Sequence, residues 1–457
     1  MLKKTASFLL SLLLCLTLLL TACSTGGQEP SSSESLQDLI AQQGLDPDKE
    51  TLIYAQTSPS NGTSALRRDI IDKFNRTHDN VQIAVKDYSN SDGGLGTDLL
   101  RTELAVGQLP DIIDLGGSLP YRQLVLKGYL EDLWPYIEND PDLGRDSVLE
   151  APLKAAEVDG KLCLLFGSVS VQTLAGAADQ VGDRTSWTVE ELQAAFASMP
   201  EGSTLLSFQT SRSSILASLL WFSLSSYVDM EAGTSSFDSP GFRSLLEFVS
   251  LLPGEDEVKA ETAAFGDALA ILWESEERLR MGLQMLEEAD VSVETLQILD
   301  ANHGGQCAFI GYPTGDGSVG SMFEVWGPRL AISSACQNKE AAWELVRTVL
   351  AEPESFRTPI RKDKYNMRKT AAMHTEAILG ISPDTKEDFT VPPVTEEQIQ
   401  RFEAFFNSID KINIGEDIDL FLLIREICEP YLAGDKTLDE TVAMLQNRVG
   451  LYLNERS

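Results

Sequence analysis

Hydrophobic and polar positions change rhythm repeatedly along the chain, and the first clear pattern is a run of short apolar segments separated by helical spacing. Thr51-Leu-Ile-Tyr-Ala55 is rich in β-favouring residues and predicts a buried strand. Residues 57–62, Thr-Ser-Pro-Ser-Asn-Gly, have loop chemistry. Leu66, Ile70, Ile71 and Phe74 then recur at helical spacing, and Val81-Gln-Ile-Ala-Val85 returns to a strand. Residues 99–106 predict a helix, and Asp111-Ile-Ile-Asp-Leu115 predicts a third strand ending in Gly116-Gly117. Strands alternating with helices imply a largely parallel sheet covered on both faces. Ligands of such sheets sit at the carboxyl ends of the strands, where the loops 57–62 and 116–118 fall.

The style continues downstream. Thr188 and Glu191 have the spacing of a capping box and open a helix through Phe196. Leu205-Leu-Ser-Phe208 predicts a strand, residues 214–227 an apolar helix, and residues 322–333 a further strand. Asn338 caps a helix over 339–350, with Ala342, Leu345, Val346 and Val349 on one face. From Glu396 the tail is nearly all helical, and Thr437 with Glu440 forms another capping box. No internal repeat of 20–50 residues is present.

The amino end follows a different logic. Lys3 and Lys4 precede an almost continuous apolar run over residues 8–20. That run is too short to span a bilayer core of about 30 Å, so it predicts the apolar region of a signal peptide. Leu20-Thr-Ala-Cys23 follows and resembles the lipobox of bacterial lipoproteins, in which the cysteine thiol is acylated and becomes the mature N-terminus. Residues 1–22 are therefore expected to be removed. Residues 23–46, rich in Gly, Ser and polar groups, are expected to form a lipid-anchored tether without a core.

Composition then narrows the chemistry. Of 457 residues, 36 are Lys or Arg and 70 are Asp or Glu, giving a formal net charge of −34. Loss of the signal peptide removes two lysines and no acid, which makes the body more negative still. A surface so acidic repels nucleic acid, and no basic patch offsets it. The histidines His78, His303 and His374 lie far apart and form no metal or triad spacing, so no metal site and no cofactor are expected. Gly315-Asp-Gly-Ser-Val-Gly320 matches G-x-G-x-x-G but leads into a predicted strand rather than a helix, which marks a tight turn. Cys163, Cys307, Cys336 and Cys428 fit no zinc spacing. Cys163 and Cys307 lie in apolar runs, where a buried thiol is the expectation, and a disulfide remains open.

Several separated segments resemble the extracellular solute-binding proteins of ABC importers, family 1 type, which include sugar-binding lipoproteins. They are Gly107-Gln-Leu-Pro-Asp-Ile-Ile-Asp114, Lys127-Gly-Tyr-Leu-Glu-Asp-Leu133, Val158-Asp-Gly-Lys161, Ser186-Trp-Thr-Val-Glu-Glu-Leu192, and Ala331-Ile-Ser-Ser334 leading to Asn338-Lys-Glu-Ala-Ala-Trp343. The resemblance implies an α/β, two-lobed periplasmic-binding-protein-like fold (class II) with three hinge crossings, near residues 166–168, 323–327 and 361–366. Lobe 1 would hold 47–166 and 327–363, and lobe 2 would hold 167–325 and 364–457. It also implies a ligand cleft lined by Ser58, Asn61, Gly116, Gly117 and Ser118 from lobe 1. From lobe 2 come Gln209, Arg212, Trp273 and Glu274, with Glu324 and Trp326 on the second crossing.

The implied function is capture of a small solute, a sugar, by a monomer held at the outer face of the cell membrane of a Gram-positive bacterium. Permease subunits of an ABC importer would receive the solute, with no nucleic-acid partner and no catalysis. A flat indole beside a carboxylate, as at Trp273-Glu274 and Glu324/Trp326, suits the C–H face and hydroxyls of a sugar. Two alternatives stay open at this point. One is a two-lobed lipoprotein that senses or binds a non-sugar solute; the other is a glycosidase using Glu274 and Glu324 as its carboxylate pair. Trp134, Trp187 and Trp343 are expected to be scaffold.

Acylation is tested in whole cells. Labelled palmitate is expected on the natural chain and not on Cys23→Ser, which should leave the membrane fraction; equal labelling of both would remove the anchor.

Overall fold

The computed structural model describes residues 35–58, 65–89, 95–116, 119–182, 184–230, 232–265, 268–314, 317–351, 357–381, 388–414 and 418–456. Cys23 and the signal segment lie outside the described residues. The chain divides into two units, Met1–Glu50 and Thr51–Ser457. In the first, Leu36–Gln43 is helical because Ser35 and Asp38 cap it reciprocally: Ser35 Oγ accepts from the Asp38 N–H, and the Asp38 carboxylate accepts from the Ser35 N–H.

Among the described residues the second unit has two larger sheets and two short two-stranded ones. One larger sheet contains, in spatial order, Leu330–Ile332, Ile112–Asp114, Glu50–Gln56 and Val81–Asp87. Glu50–Gln56 runs parallel to Ile112–Asp114 with Tyr54 opposite Ile112, while Leu330–Ile332 is antiparallel with Ala331 opposite Ile113. All three strands expected between residues 51 and 115 are therefore in one sheet. Helices Arg68–Thr77 and Leu95–Ala105 bury Ile71, Phe74, Leu100 and Leu104 in the same core.

The other sheet centres on the ten-residue strand Ser168–Ala177. Along one side it pairs with Met322–Trp326 and then Cys307–Phe309. Along the other it pairs with Thr358–Pro359 and then Leu286–Val291. All four pairings are antiparallel, and only Ile412–Asn413 joins in parallel, against Met322–Trp326. The expectation of a largely parallel sheet thus fails here, because these strands come from distant segments rather than from successive strand–helix–strand units.

Two further expectations are corrected. Residues 205–208 form turns and bends rather than a strand, although Leu205, Leu206 and Phe208 are buried; a short apolar run reads the same way in either case. The strand expected over 322–333 is two strands in different sheets. Gly327 takes φ +85°, and Pro328 has no N–H, so the ladder cannot continue through them. The capping boxes at Thr188 and Thr437 and the Asn338 cap are present.

Alternation divides the long strand between two environments. Val169, Val171 and Ala175, with Phe323, Val325, Ala289 and Val291 from its neighbours, face one core. Phe309 stacks there on Phe405 at 5.0 Å, and Phe323 meets Phe406 edge-on at 4.8 Å. On the opposite face, Leu174 and Leu286 are covered by helices Arg212–Ser223, Pro240–Ser250, Ile418–Leu432 and Leu438–Arg456, which form a second core. Nearer the start of the strand the same face carries Ser168, Ser170 and Gln172 instead.

Among the described residues the chain passes between the two larger sheets three times: at 166–167, at 327–329 and between Ile332 and Thr358. Residues 361–366, the expected position of the third crossing, lie at the start of helix Lys362–Ala372. The four cysteines of the body are free and buried, and burial pushes the Cys163, Cys336 and Cys428 thiols up to about 12. Among the described residues no helix is long and apolar enough to cross a membrane.

Gly167 lies in the first passage with its Cα pressed against the carbonyl of Val349 in the turn Arg347–Leu350. A Cβ there would overlap that oxygen. Gly167→Ala is expected to cost about 1–3 kcal/mol, an overpacking penalty, read as a lowered midpoint in urea denaturation. An unchanged midpoint would show that the two segments separate freely.

Candidate functional site

The polar half of the second sheet forms a connected constellation. Ser170, Gln172, Asp290, Glu324 and Trp326 share one face through the cross-strand pairs Ser170–Glu324 and Gln172–Asp290. The Trp326 indole N–H donates to Ser170 Oγ at 2.9 Å, and Ser170 Oγ donates to Asp290 Oδ1 at 2.5 Å. The Gln172 amide also donates to Asp290 Oδ1. Arg357 closes the group from the third passage: its guanidinium lies 3.8 Å from the Trp326 ring centroid and 3.1 Å from Asp290 Oδ2. Gln172, Asp290, Glu324, Trp326 and Arg357 are all half-buried. The face is thus organised and only partly closed to solvent.

Glu324 occupies the middle. Asn413 donates to its Oε2 at 2.6 Å, and Arg329 lies 4.0 Å from Oε1. Burial raises its carboxyl to about 7, assisted by the charge of Asp290 and opposed by Arg329, Asn413 and Arg357. Arg329 sits on the second passage. It donates to the carbonyls of Val325 and Ile414, each at 3.2 Å, while its Nε–H is buried without a partner. Burial works against its charge, and two carboxylates support it: Glu324 of the second sheet and Asp114 of the first.

Asp114 ends the strand Ile112–Asp114 and is fully buried. It accepts from the Ser58 N–H at 3.2 Å and the Gly116 N–H at 3.1 Å, and Thr57 Oγ1 donates to its carbonyl at 3.0 Å. Burial raises its carboxyl above the usual range despite these donors. The carboxyl ends of two strands are tied together in this way, and acids from both sheets favour the charge of one guanidinium.

Of the residues expected at the cleft, the structure brings Ser58 and Gly116 together through Asp114 and places Glu324 and Trp326 on one face of one strand. Asn61, Gly117 and Ser118 lie outside the described residues. Gln209, Arg212 and Glu274 are engaged elsewhere. Gln209 is exposed beside Ser207, which hydrogen-bonds Ser275 at 2.9 Å. Arg212 donates to the Ser250 carbonyl at 2.8 Å, clasping the end of helix Pro240–Ser250. Glu274 accepts from Arg278 at 2.8 Å, and Arg278 also meets Glu261 at 2.9 Å and covers Phe208. No hydrogen bond or ion pair between described residues joins Gln209, Arg212 or Glu274 to Glu324 or Trp326. Trp273 lies in helix Ala268–Arg280, and its side chain is outside the description. Trp134, Trp187 and Trp343 are buried with their indole N–H groups bound to Glu157, the Gly311 carbonyl and Asp140.

Sequence reasoning missed Asp114 as an organiser, and missed Ser170, Gln172, Asp290, Arg329, Arg357 and Asn413. A signal existed for the first strand, since Ser168-Val-Ser-Val-Gln172 alternates polar and apolar positions. Arg357 and Asn413 arrive from far along the chain, and nothing local marks them.

The raised Glu324 carboxyl sets a pH dependence. Its proton is held more tightly in the folded chain than at the ordinary value of 4.5, so the favourable contribution is complete below about pH 4.5 and lost as pH rises through about 7. Glu324→Gln is expected to remove about 1–3 kcal/mol of this decline in urea unfolding followed across pH. A parallel decline in both proteins would place the titration elsewhere.

No protein-family model matches the chain, and no curated protein matches it. Solved structures do. The chain is similar to the sugar-binding protein MalE from the phytopathogen Xanthomonas citri, with TM-score 0.51 and 16% identity over 89% of this chain and 98% of that one. It is also similar to an extracellular solute-binding protein family 1 from Alicyclobacillus acidocaldarius, with TM-score 0.50 and 13% identity over 89% of this chain and 99% of that one. At these identities the likeness shows the fold: the chain has the two-lobed α/β architecture of extracellular solute-binding proteins, which the sequence motifs implied.

Proposed function

We propose that this chain is a lipid-anchored substrate-binding protein of an ABC importer, which captures a carbohydrate between its lobes and delivers it to a membrane permease without altering it. The observation that carries this reading is the half-buried polar face around Glu324. Trp326, Ser170, Gln172, Asp290 and Asn413 gather there, close to the Arg329 guanidinium, whose charge Glu324 and Asp114 both favour. Hydroxyl groups of a sugar both donate and accept. Carboxylates and amides fixed by their own hydrogen bonds, set around an indole, suit that requirement. The fold shared with the sugar-binding protein MalE supports the same reading.

Ser58, Asn61, Gly116, Gly117 and Ser118 would contribute from the first lobe. Gln209, Arg212, Trp273 and Glu274 would contribute from the second lobe. Contacts made to both lobes at once favour the closed form by their differential affinity, and the three passages provide the turning points. The closed form would then dock on the permease while Cys23 keeps the protein at the membrane.

The experiment is calorimetric titration with mono- and oligosaccharides, amino acids, peptides and polyamines. One saccharide is expected to bind, and Trp326→Ala is expected to weaken it about tenfold or more. Silence across the sugars with binding of another class would overturn the carbohydrate reading. Turnover of a chromogenic glycoside, lost in Glu324→Gln, would replace binding with catalysis.

A further inference from the structure

Arg329 is divided between the two larger sheets. Its backbone belongs to the first: the Leu115 N–H donates to the Arg329 carbonyl at 2.7 Å, beside the ladder pair Leu330–Asp114. Leu330 and Leu165 exchange hydrogen bonds of 2.8 and 2.9 Å, so the first two passages run side by side at this point. The Arg329 side chain turns back to the other sheet. Nη2–H donates to the Val325 carbonyl within strand Met322–Trp326, and Nη1–H donates to the carbonyl of Ile414, which directly follows strand Ile412–Asn413. A change in the angle between the sheets must therefore carry this side chain along or break its grip.

The grip is joined to the polar face. Asn413 donates to one Glu324 oxygen, Oε2, and Arg329 lies 4.0 Å from the other. Arg357 and Asp290 are the further charged groups that act on Glu324, and Asp114 acts on Arg329 from the first sheet. The Glu324 and Arg329 side chains are 22% and 17% exposed, so the attraction between them depends on the little water that remains. Attraction over such a distance strengthens as water is excluded. A solute lying on Glu324 tightens the hold on Arg329 in this way, and loss of the Glu324 charge loosens it.

We propose that Arg329 is a positioning residue for solute capture: rooted in the first sheet and fastened to the second, it couples occupancy of the polar face at Glu324 to the freedom of the second passage, about which the lobes turn. The proposal rests on the reading of that face as the capture site. A proton is the smallest occupant of Glu324, and with the carboxyl raised to about 7 it is gained or lost between about pH 8.5 and 5.5. The coupling is therefore open to measurement without an identified solute.

Amide hydrogen exchange of the full-length, solute-free chain, corrected for the intrinsic pH dependence of exchange, is the test. The Leu115, Leu165 and Leu330 amides, whose hydrogen bonds hold the passages, are expected to exchange about two- to fivefold faster at about pH 5.5 than at about 8.5. Strand Ser168–Ala177 should show no such acceleration. Glu324→Gln and Arg329→Met should each exchange fast at both pH values, and Arg329→Lys, which keeps the charge, should regain part of the pH response. Should Arg329→Met fail to fold, the nearly isosteric Glu324→Gln decides alone. No pH response in the natural chain overturns the proposal, as does a response that survives either Glu324→Gln or Arg329→Met. Equal acceleration in strand Ser168–Ala177 overturns it too, since the whole fold would then be loosening. Absence of any bound saccharide in the titration would instead sink the capture reading, and the exchange rates would still report the grip.

Discussion

The strand Ser168–Ala177 imposes one constraint on everything around it: successive side chains must point to opposite faces, and those faces meet different worlds. Val169 and Val171 belong to one core, whereas Ser170 and Gln172 belong to the open polar face. A slip of one residue against any neighbour would bury hydroxyl and amide groups among phenylalanines and turn valines toward solvent. Four antiparallel partners hold the same register, so the error would have to be made four times over. The later half of the strand, where Leu174 replaces the polar series, adds the second core and fixes which end stays open.

Electrostatics at the junction follows from the same placement. Glu324 and Asp114 are acids held above the usual carboxylate range chiefly by burial, and both favour the charge of the buried Arg329. Removing a guanidinium from water is unfavourable in itself, and its attraction to nearby acids offsets only part of that cost. Such a group specifies an arrangement more than it strengthens one. The two acids that favour its charge stand on strands of different sheets, so its environment depends on how the sheets are disposed.

Much of the architecture was legible in the chain. Local rules read well where the causes are local: the reciprocal caps at Thr188 and Thr437, the strands before Gly116, and the helix after Asn338 all depend on residues a few positions apart. The long apolar stretch after Met322 was read as one strand because apolar periodicity does not reveal which sheet receives a residue; the Gly327-Pro328 step carried that information. Glu324 and Trp326 were visible as a pair two residues apart, which places them on one face of any strand. Their partners were not. Asp290, Arg357 and Asn413 reach the same face from separate segments, and only the tertiary pairing around Ser168–Ala177 brings them there. Arg212 entered through the resemblance alone, and no local pattern announced its hydrogen bond to the end of a neighbouring helix.

The sealed cysteines have a practical corollary. The thiolate is the reactive form, and burial opposes its formation at Cys163, Cys307, Cys336 and Cys428 alike. Oxidants and alkylating reagents that act on accessible sulfur should therefore pass over the folded body. A single cysteine introduced on each lobe would then be the preferred target for a fluorophore or spin probe, with no native position to mutate first. The closure proposed above would then be measurable as a change in one distance.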